Sequence, residues 1–196
     1  MVPKRLSVKL FAANPEVVEP DAFMPVFQRW IQRHTVEGLL IDVADYKHVP
    51  DGPGMVLIGH EGDYSYTYSD GRPGIQYVRK ITSGGDLAAN AATAFRLAIQ
   101  AAQALEAEKR LGGLKFRYDE AEIALIDRLR APNTPETWGS VRADLEPSLA
   151  ALYGDAAVVL TLLHADPRDL LTIGLKAAGP VTAAELLARL GEAVSA

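Results

Sequence analysis

The chain contains no cysteine, and this absence removes several classes of protein at once. Disulfide-stabilised scaffolds, zinc sites with thiolate ligands and cysteine nucleophiles all require that residue. Long apolar runs are missing too, since the stretch from Ala156 to His164 is far shorter than the ~20 residues of a membrane-spanning helix. Lys9 interrupts the apolar N-terminal segment, which is therefore interpreted as a strand and not as a signal peptide. We expect a cytoplasmic protein that does not bind membranes.

Clusters of basic residues are also absent. The 20 Lys and Arg side chains are scattered among 25 Asp and Glu, and the net charge is −5. A protein that binds the nucleic-acid backbone normally shows a basic patch, so we predict no nucleic-acid partner. The hydrophobic content of 48% is ordinary for a globular protein, and 196 residues fit one core. We therefore predict a single domain over residues 1–196.

Sequence motifs that would identify an enzyme are lacking. The chain has no Gly-x-Ser-x-Gly elbow. Residues 51–54 are Asp-Gly-Pro-Gly, but the Gly-Lys-Ser/Thr of a phosphate-binding loop does not follow. His60 and Glu61 begin like a zinc-protease motif, which fails because position 64 is Tyr and not His. The sequence thus leaves open whether the protein is an enzyme, and it assigns no cofactor.

Two kinds of periodicity alternate along the chain and predict its fold class. Short segments alternate apolar and polar residues, as strands do, and longer segments repeat apolar residues at three- and four-residue steps, as helices do. Residues 121–130 fit either pattern, and their β-branched content favours a strand. The other predicted strands lie at 6–11, 39–43, 55–59, 64–68, 75–80, 114–118, 156–163 and 170–175, and the helices at 23–34, 87–105, 135–152 and 182–194. We predict an α+β fold in which a mainly antiparallel sheet packs with about four helices.

The order of predicted elements is similar in the two halves of the chain, residues 1–111 and 112–196. Each half runs from a strand through a helix and paired strands to a second helix. A diverged internal duplication is one interpretation, although no residue-level repeat supports it and such orders are common in α+β folds.

One segment, from Asp42 to Arg79, is richer in polar chemistry than folding requires. His48, His60, Glu61 and Asp63 lie there, near the ends of short buried strands, where loops often gather functional groups. Imidazole and carboxylate are the usual ligands of zinc, iron or manganese, so these four residues are candidate metal ligands. His48, His60 and Glu61 are also candidate catalytic residues. The plainer interpretation is that they belong to polar turns between strands.

A row of three tyrosines follows this cluster, and it points to binding. Tyrosine combines a large apolar area with a hydroxyl group, which suits interfaces and planar ligands, although it also covers cores. The predicted binding residues are Asp42, Asp63, Tyr64, Tyr66, Tyr68 and Arg79.

These features lead to three functional hypotheses. The first is a binding or assembly module that presents the tyrosine face and the loops from His48 to Tyr68 to a protein partner or to a second copy of itself. The second is a small metal-assisted or acid/base hydrolase that uses the histidine and carboxylate cluster. The third is a small-molecule sensor.

Overall fold

The computed structural model of the protein describes residues 3–81 and 84–194. Eight strands and four α-helices form in the order β1, α1, β2, β3, β4, β5, α2, β6, α3, β7, β8 and α4. The strands are β1 (Leu6–Ala12), β2 (Leu40–Tyr46), β3 (Gly54–Gly59), β4 (Gly62–Thr67), β5 (Gly74–Arg79), β6 (Phe116–Leu125), β7 (Val158–Leu162) and β8 (Leu171–Ala177). The helices are α1 (Phe23–Arg33), α2 (Leu87–Glu106), α3 (Pro135–Tyr153) and α4 (Ala183–Val194).

All eight strands belong to one antiparallel sheet with the order β2-β3-β4-β5-β1-β6-β8-β7. This confirms the predicted α+β class. Consecutive predicted strands pair as antiparallel neighbours between β2 and β3, β4 and β5, and β7 and β8. Residues 121–125 of the ambiguous segment continue β6 as a strand, as their β-branched content favours, whereas residues 126–130 lie beyond its end and are not a strand.

Local capping explains where the helices begin and end. Thr134 caps α3 by accepting a hydrogen bond from the backbone N–H of Thr137. Thr182 and Glu185 form the predicted capping box at the start of α4, each accepting a bond from the other's backbone N–H. The end of α1 agrees with the predicted helix at 23–34 to within one residue, because His34 adopts a left-handed conformation with φ 50° and ends the helix after Arg33.

Helices α1, α2 and α3 pack against one face of the sheet, called here the helix face, and α4 packs against α2 and α3. Strand residues on this face are almost fully buried, among them Leu6, Val8 and Leu10 of β1 and Ile123 of β6. The strand register puts a second set of residues on the opposite face. We call this second face the helix-free face, since no α-helix of the described ranges covers it. Its members in and beside the central and last strands are Ser7, Lys9, Phe11, Glu120, Glu122, Ala124, Thr172, Gly174, Lys176, Val159, Thr161 and Leu163.

The two halves of the chain share part of their topology, although the first half has five strands and the second has three. In the first half β1 pairs with the last strand, β5, and in the second half β6 pairs with the last strand, β8. A helix follows the first strand and another follows the last strand in each case. This shared order is what a duplication would require, and the duplication itself stays a hypothesis. No helix in the described part of the chain has the length and apolarity needed to cross a bilayer.

Candidate functional site

The predicted cluster of histidines and carboxylates does not converge. His48 is exposed in the connection between β2 and β3, whereas His60 is exposed in the turn between β3 and β4. These two connections lie at opposite ends of β3, whose six residues span about 20 Å. Within residues 3–81 and 84–194, no three His, Asp or Glu side chains are grouped so that they could hold one metal ion. Roles for the single residues in catalysis or metal binding stay predictions.

Glu61 and Asp63 hold the turn between β3 and β4. Asp63 Oδ1 accepts hydrogen bonds from the backbone N–H of Gly59 at 3.1 Å and from Lys80 Nζ at 2.7 Å. Glu61 Oε2 accepts from the backbone N–H of Leu39 at 3.1 Å, and such backbone hydrogen bonds lower the pKa of Glu61. Both carboxylates therefore serve the local structure, which is the plainer of the two interpretations drawn from the sequence.

Asp42 and Arg79 lie on different faces of the sheet. Asp42 is exposed on the edge strand β2, and its carboxylate accepts from the neighbouring backbone N–H of Val43 at 2.7 Å. Arg79 is only 7% exposed on β5, where its Nε donates to Asn90 Oδ1 of α2 at 3.1 Å. Three strand spacings of about 4.8 Å separate β2 from β5, so these two residues do not share a site.

Two of the predicted residues, Glu61 and Arg79, line the same cavity, which has a volume of about 420 Å³. Glu37 and Tyr77 line it as well. Its polar groups are already engaged within the protein: Glu37 pairs with Arg96 at 2.6 Å, and Glu61 and Arg79 make the contacts given above. The cavity therefore offers few unsatisfied groups with which to recognise a ligand.

The tyrosine row is on the helix face and is buried. Tyr64 and Tyr66 are each 1% exposed, and the Tyr66 ring stacks on Phe23 of α1 with centroids 3.9 Å apart. The Tyr64 hydroxyl donates to the carbonyl of Glu37 at 2.8 Å, and the half-buried Tyr68 meets Tyr66 edge to face. The alternation of tyrosine with serine and threonine was interpreted correctly as a strand, but α1 covers its aromatic side. In this structure Tyr64 and Tyr66 are therefore not accessible to a partner, and binding through this face stays a prediction.

Burial also limits the chemistry of these hydroxyl groups. It raises the pKa of Tyr68 and of Tyr77 to about 12, and it raises the pKa of Tyr64 and Tyr66 as well. All four phenols thus stay protonated near neutral pH, and none of them serves as a general base.

The helix-free face carries a different candidate site, a cavity of about 430 Å³ that we call the open-face cavity. Its apolar walls come from the ring of Phe11 and from two exposed side chains of the last hairpin, Val159 and Leu163. Arg72 closes one side: its guanidinium lies 3.6 Å from the Phe11 ring centroid, and it pairs with Glu120 at 2.9 Å. The remaining lining residues are Ala121, Ala157, Thr161, Gly174, Leu175, Lys176, Ala177 and Ala178.

A buried polar centre lies beside this cavity, in the middle of the helix-free face. Lys9 is 1% exposed, and its Nζ donates to the carbonyl and hydroxyl oxygens of Ser69, both at 3.0 Å. Glu122 is directly opposite Lys9 on β6. Burial lowers the pKa of Lys9 and raises the pKa of Glu122, because it disfavours the charged form of each group.

Sequence reasoning missed both the open-face cavity and the Lys9 centre. Two signals were available. Lys9 stands inside an apolar strand, and a lysine there must find partners. Gly174 stands inside the strand β8, which often marks a place where other atoms approach closely; indeed a Cβ at that position would meet the side chains of Leu163 and Thr161 at 2.8 and 3.0 Å.

Comparisons of the chain with protein-family models, with curated proteins and with solved structures give no significant match. The candidate site must therefore be judged by its geometry. It offers an apolar enclosure with charged groups on its wall, an arrangement suited to non-covalent binding of a small molecule.

Proposed function

We propose that the protein is a small-molecule binding module whose ligand occupies the open-face cavity. The observation that carries this proposal is the cavity itself. Its volume of about 430 Å³ is typical of ligand pockets, which range over roughly 300–1,000 Å³. Its walls are mainly apolar, and few polar groups line it, as in most ligand sites.

The exposed apolar side chains support the same proposal. Val159 is 59% exposed and Leu163 is 45% exposed, and both line the open-face cavity. A ligand that covers these two side chains removes apolar area from water and gains roughly 25 cal/mol per Å² from it. Scattered surface leucines and valines are common, but here the two belong to one concave feature.

The other two hypotheses receive less support from the contacts. Binding through the tyrosine face would require Tyr64 and Tyr66 to leave the core, and a hydrolase that uses His48 with His60 would require groups from opposite ends of β3 to meet. The loops from His48 to Tyr68 remain available to a protein partner, and self-association is treated below as an outcome of the tests. A cytoplasmic location is part of the proposal and rests on the cysteine-free sequence.

A neutral fluorescent probe, N-phenyl-1-naphthylamine, tests the proposal. We expect saturable fluorescence enhancement with one probe bound per chain. The variant Thr161→Phe fills the cavity from an exposed strand position that tolerates an aromatic residue, so it should weaken probe binding at least about tenfold, which is about 1.4 kcal/mol.

The matched control is Thr35→Phe, which makes the same change at an exposed position outside the cavity lining. It should leave the affinity for the probe unchanged. Equal binding by wild-type protein and both variants, or no saturable binding at all, would reject the open-face cavity as a ligand site. Light scattering of the wild-type protein completes the test, since a dimer that Thr161→Phe dissociates would mean that a second copy covers this surface.

A further inference from the structure

The charged residues that line the open-face cavity do not balance. They are Arg72, Glu120 and Lys176. Arg72 and Glu120 neutralise each other through their 2.9 Å ion pair. Lys176 is exposed and forms no ion pair with another residue of the described ranges. The lining of the cavity therefore carries a net charge of +1, from two cations and one anion.

This charge is at one end of the apolar wall. Along β8 the helix-free face presents Thr172, then Gly174, then Lys176, and on β7 the residue opposite Lys176 is Val159. Leu163 lies at the other end of this wall, opposite Thr172. A ligand that extends along the wall thus meets apolar side chains over its length and the ammonium group at its end.

Resting on the proposed function, we infer that the ligand is a monoanionic amphiphile, with a compact apolar body and a single acidic group that pairs with Lys176. A lining with a net charge of +1 matches a ligand with one anionic group. A second anionic group on the ligand would find no further cation to pair with, because Arg72, the other cation of the lining, is already paired with Glu120. An uncharged ligand would fit the apolar walls but would form no ion pair with the ammonium group of Lys176.

A pair of related probes tests this inference. The anionic probe 1-anilinonaphthalene-8-sulfonate has the ring system of the neutral N-phenyl-1-naphthylamine and adds one sulfonate. Removing the charge with Lys176→Met should weaken binding of the anionic probe about three- to fivefold, a modest change because an exposed ammonium is partly screened by water. Binding of the neutral probe should change by less than about twofold.

Two control variants isolate the charge at this position. Lys176→Arg keeps the cation and should retain the affinity of the anionic probe. Lys115→Met removes a positive charge from an exposed lysine elsewhere, so it has the same net charge as Lys176→Met, and it should leave both probes unaffected. Added salt should weaken the anionic probe in the wild-type protein much more than in Lys176→Met.

The possible outcomes separate the two proposals. If the neutral probe binds in a manner sensitive to Thr161→Phe, while Lys176→Met affects both probes equally or neither, the cavity is a ligand site and the inferred anionic ligand is rejected. The anionic ligand is rejected in the same way if the neutral probe binds and the anionic probe does not. If neither probe responds to Thr161→Phe, the proposed function fails and the inference fails with it. If Thr161→Phe or Lys176→Met dissociates a dimer, a second copy occupies the surface and both are rejected.

Discussion

Lys9 and Glu122 occupy directly opposed positions on β1 and β6. The groups that act on Glu122 electrostatically are Lys9, Asp70, Arg72 and His164. Burial outweighs the attraction of the positive groups, so the pKa of Glu122 is higher in the folded protein than in the unfolded chain. Between these two values Glu122 binds more protons in the folded protein than in the unfolded chain, so the contribution of Glu122 to stability must fall as the pH rises through this interval.

Replacing Glu122 with Gln should therefore have an effect on stability that depends on pH. In the wild-type protein the contribution of Glu122 to stability is lost from about pH 4, near the usual pKa of a glutamate, upward through the raised pKa of Glu122. Gln does not titrate, so the free energy of unfolding of Glu122→Gln, relative to the wild type, should increase over the same interval. Urea unfolding at about pH 4 and at about pH 7 measures this difference.

Glu19→Gln is the matched control for this experiment, because Glu19 is exposed on the segment before α1. Its stability difference from the wild type should be nearly the same at the two pH values. A Glu122→Gln difference that is also constant with pH, or that decreases as the pH rises, would contradict the burial of this carboxyl group.

The tyrosine row shows what a residue pattern predicts and what it does not. The alternation of Tyr64 and Tyr66 with small polar residues correctly predicted a strand with one aromatic side. The pattern does not tell which side the helices cover, because that depends on where α1 returns to the sheet. Phe23 makes this contact, and it lies more than 40 residues before Tyr66 in the sequence.

At the scale of single elements, the start of α3 offers a direct test of local stabilisation. Thr134 satisfies a backbone N–H that has no partner inside the helix, by accepting from Thr137 at 3.3 Å. Thr134→Ala should lower the free energy of unfolding by about 1 kcal/mol, the usual cost of removing such a cap. Chemical denaturation monitored by circular dichroism measures this loss.

Thr93 on α2 provides a control with the same change of side chain. Its hydroxyl donates to the carbonyl of Ala89 within the helix, and this carbonyl already belongs to the helical ladder. Thr93→Ala should be neutral or slightly stabilising, since alanine has the higher helix propensity. A loss of stability at Thr93 equal to that at Thr134 would show that the cap contributes nothing specific.

Most elements were predictable because their determinants are local. The capping box at Thr182 and Glu185 and the hairpin before Arg79 depend on residues a few positions apart. The pairing of β1 with β6 is different, since it joins segments more than 100 residues apart in the sequence. No local pattern encodes that partner, so the sheet order could not be derived. The open-face cavity depends on this order as well, because Phe11 meets the last hairpin only after β1 and β6 have paired.

For the whole molecule, the pairing of β1 with β6 in the middle of the sheet implies that the two halves of the chain fold together. β1 from the first half lies between β5 and β6, and α2 packs against both α3 and α4. Separating the halves would expose the β1 edge and the buried side of α2 to water. The shared topology of the halves therefore does not make them independent units, and we expect one cooperative unfolding transition.

The two tryptophans are natural probes of this cooperativity, since the fully buried Trp30 is on α1 and Trp138 is on α3. Trp138→Phe leaves a probe of the first half only, and Trp30→Phe leaves a probe of the second half only. In urea, the fluorescence midpoint of each variant should coincide with its own far-ultraviolet circular dichroism midpoint, even though Trp30→Phe lowers overall stability. Both midpoints are measured on the same variant, so the lower stability of Trp30→Phe does not affect the comparison. A fluorescence transition that clearly precedes or follows the circular dichroism transition would show that one half unfolds alone, because only independent units can lose structure at different denaturant concentrations.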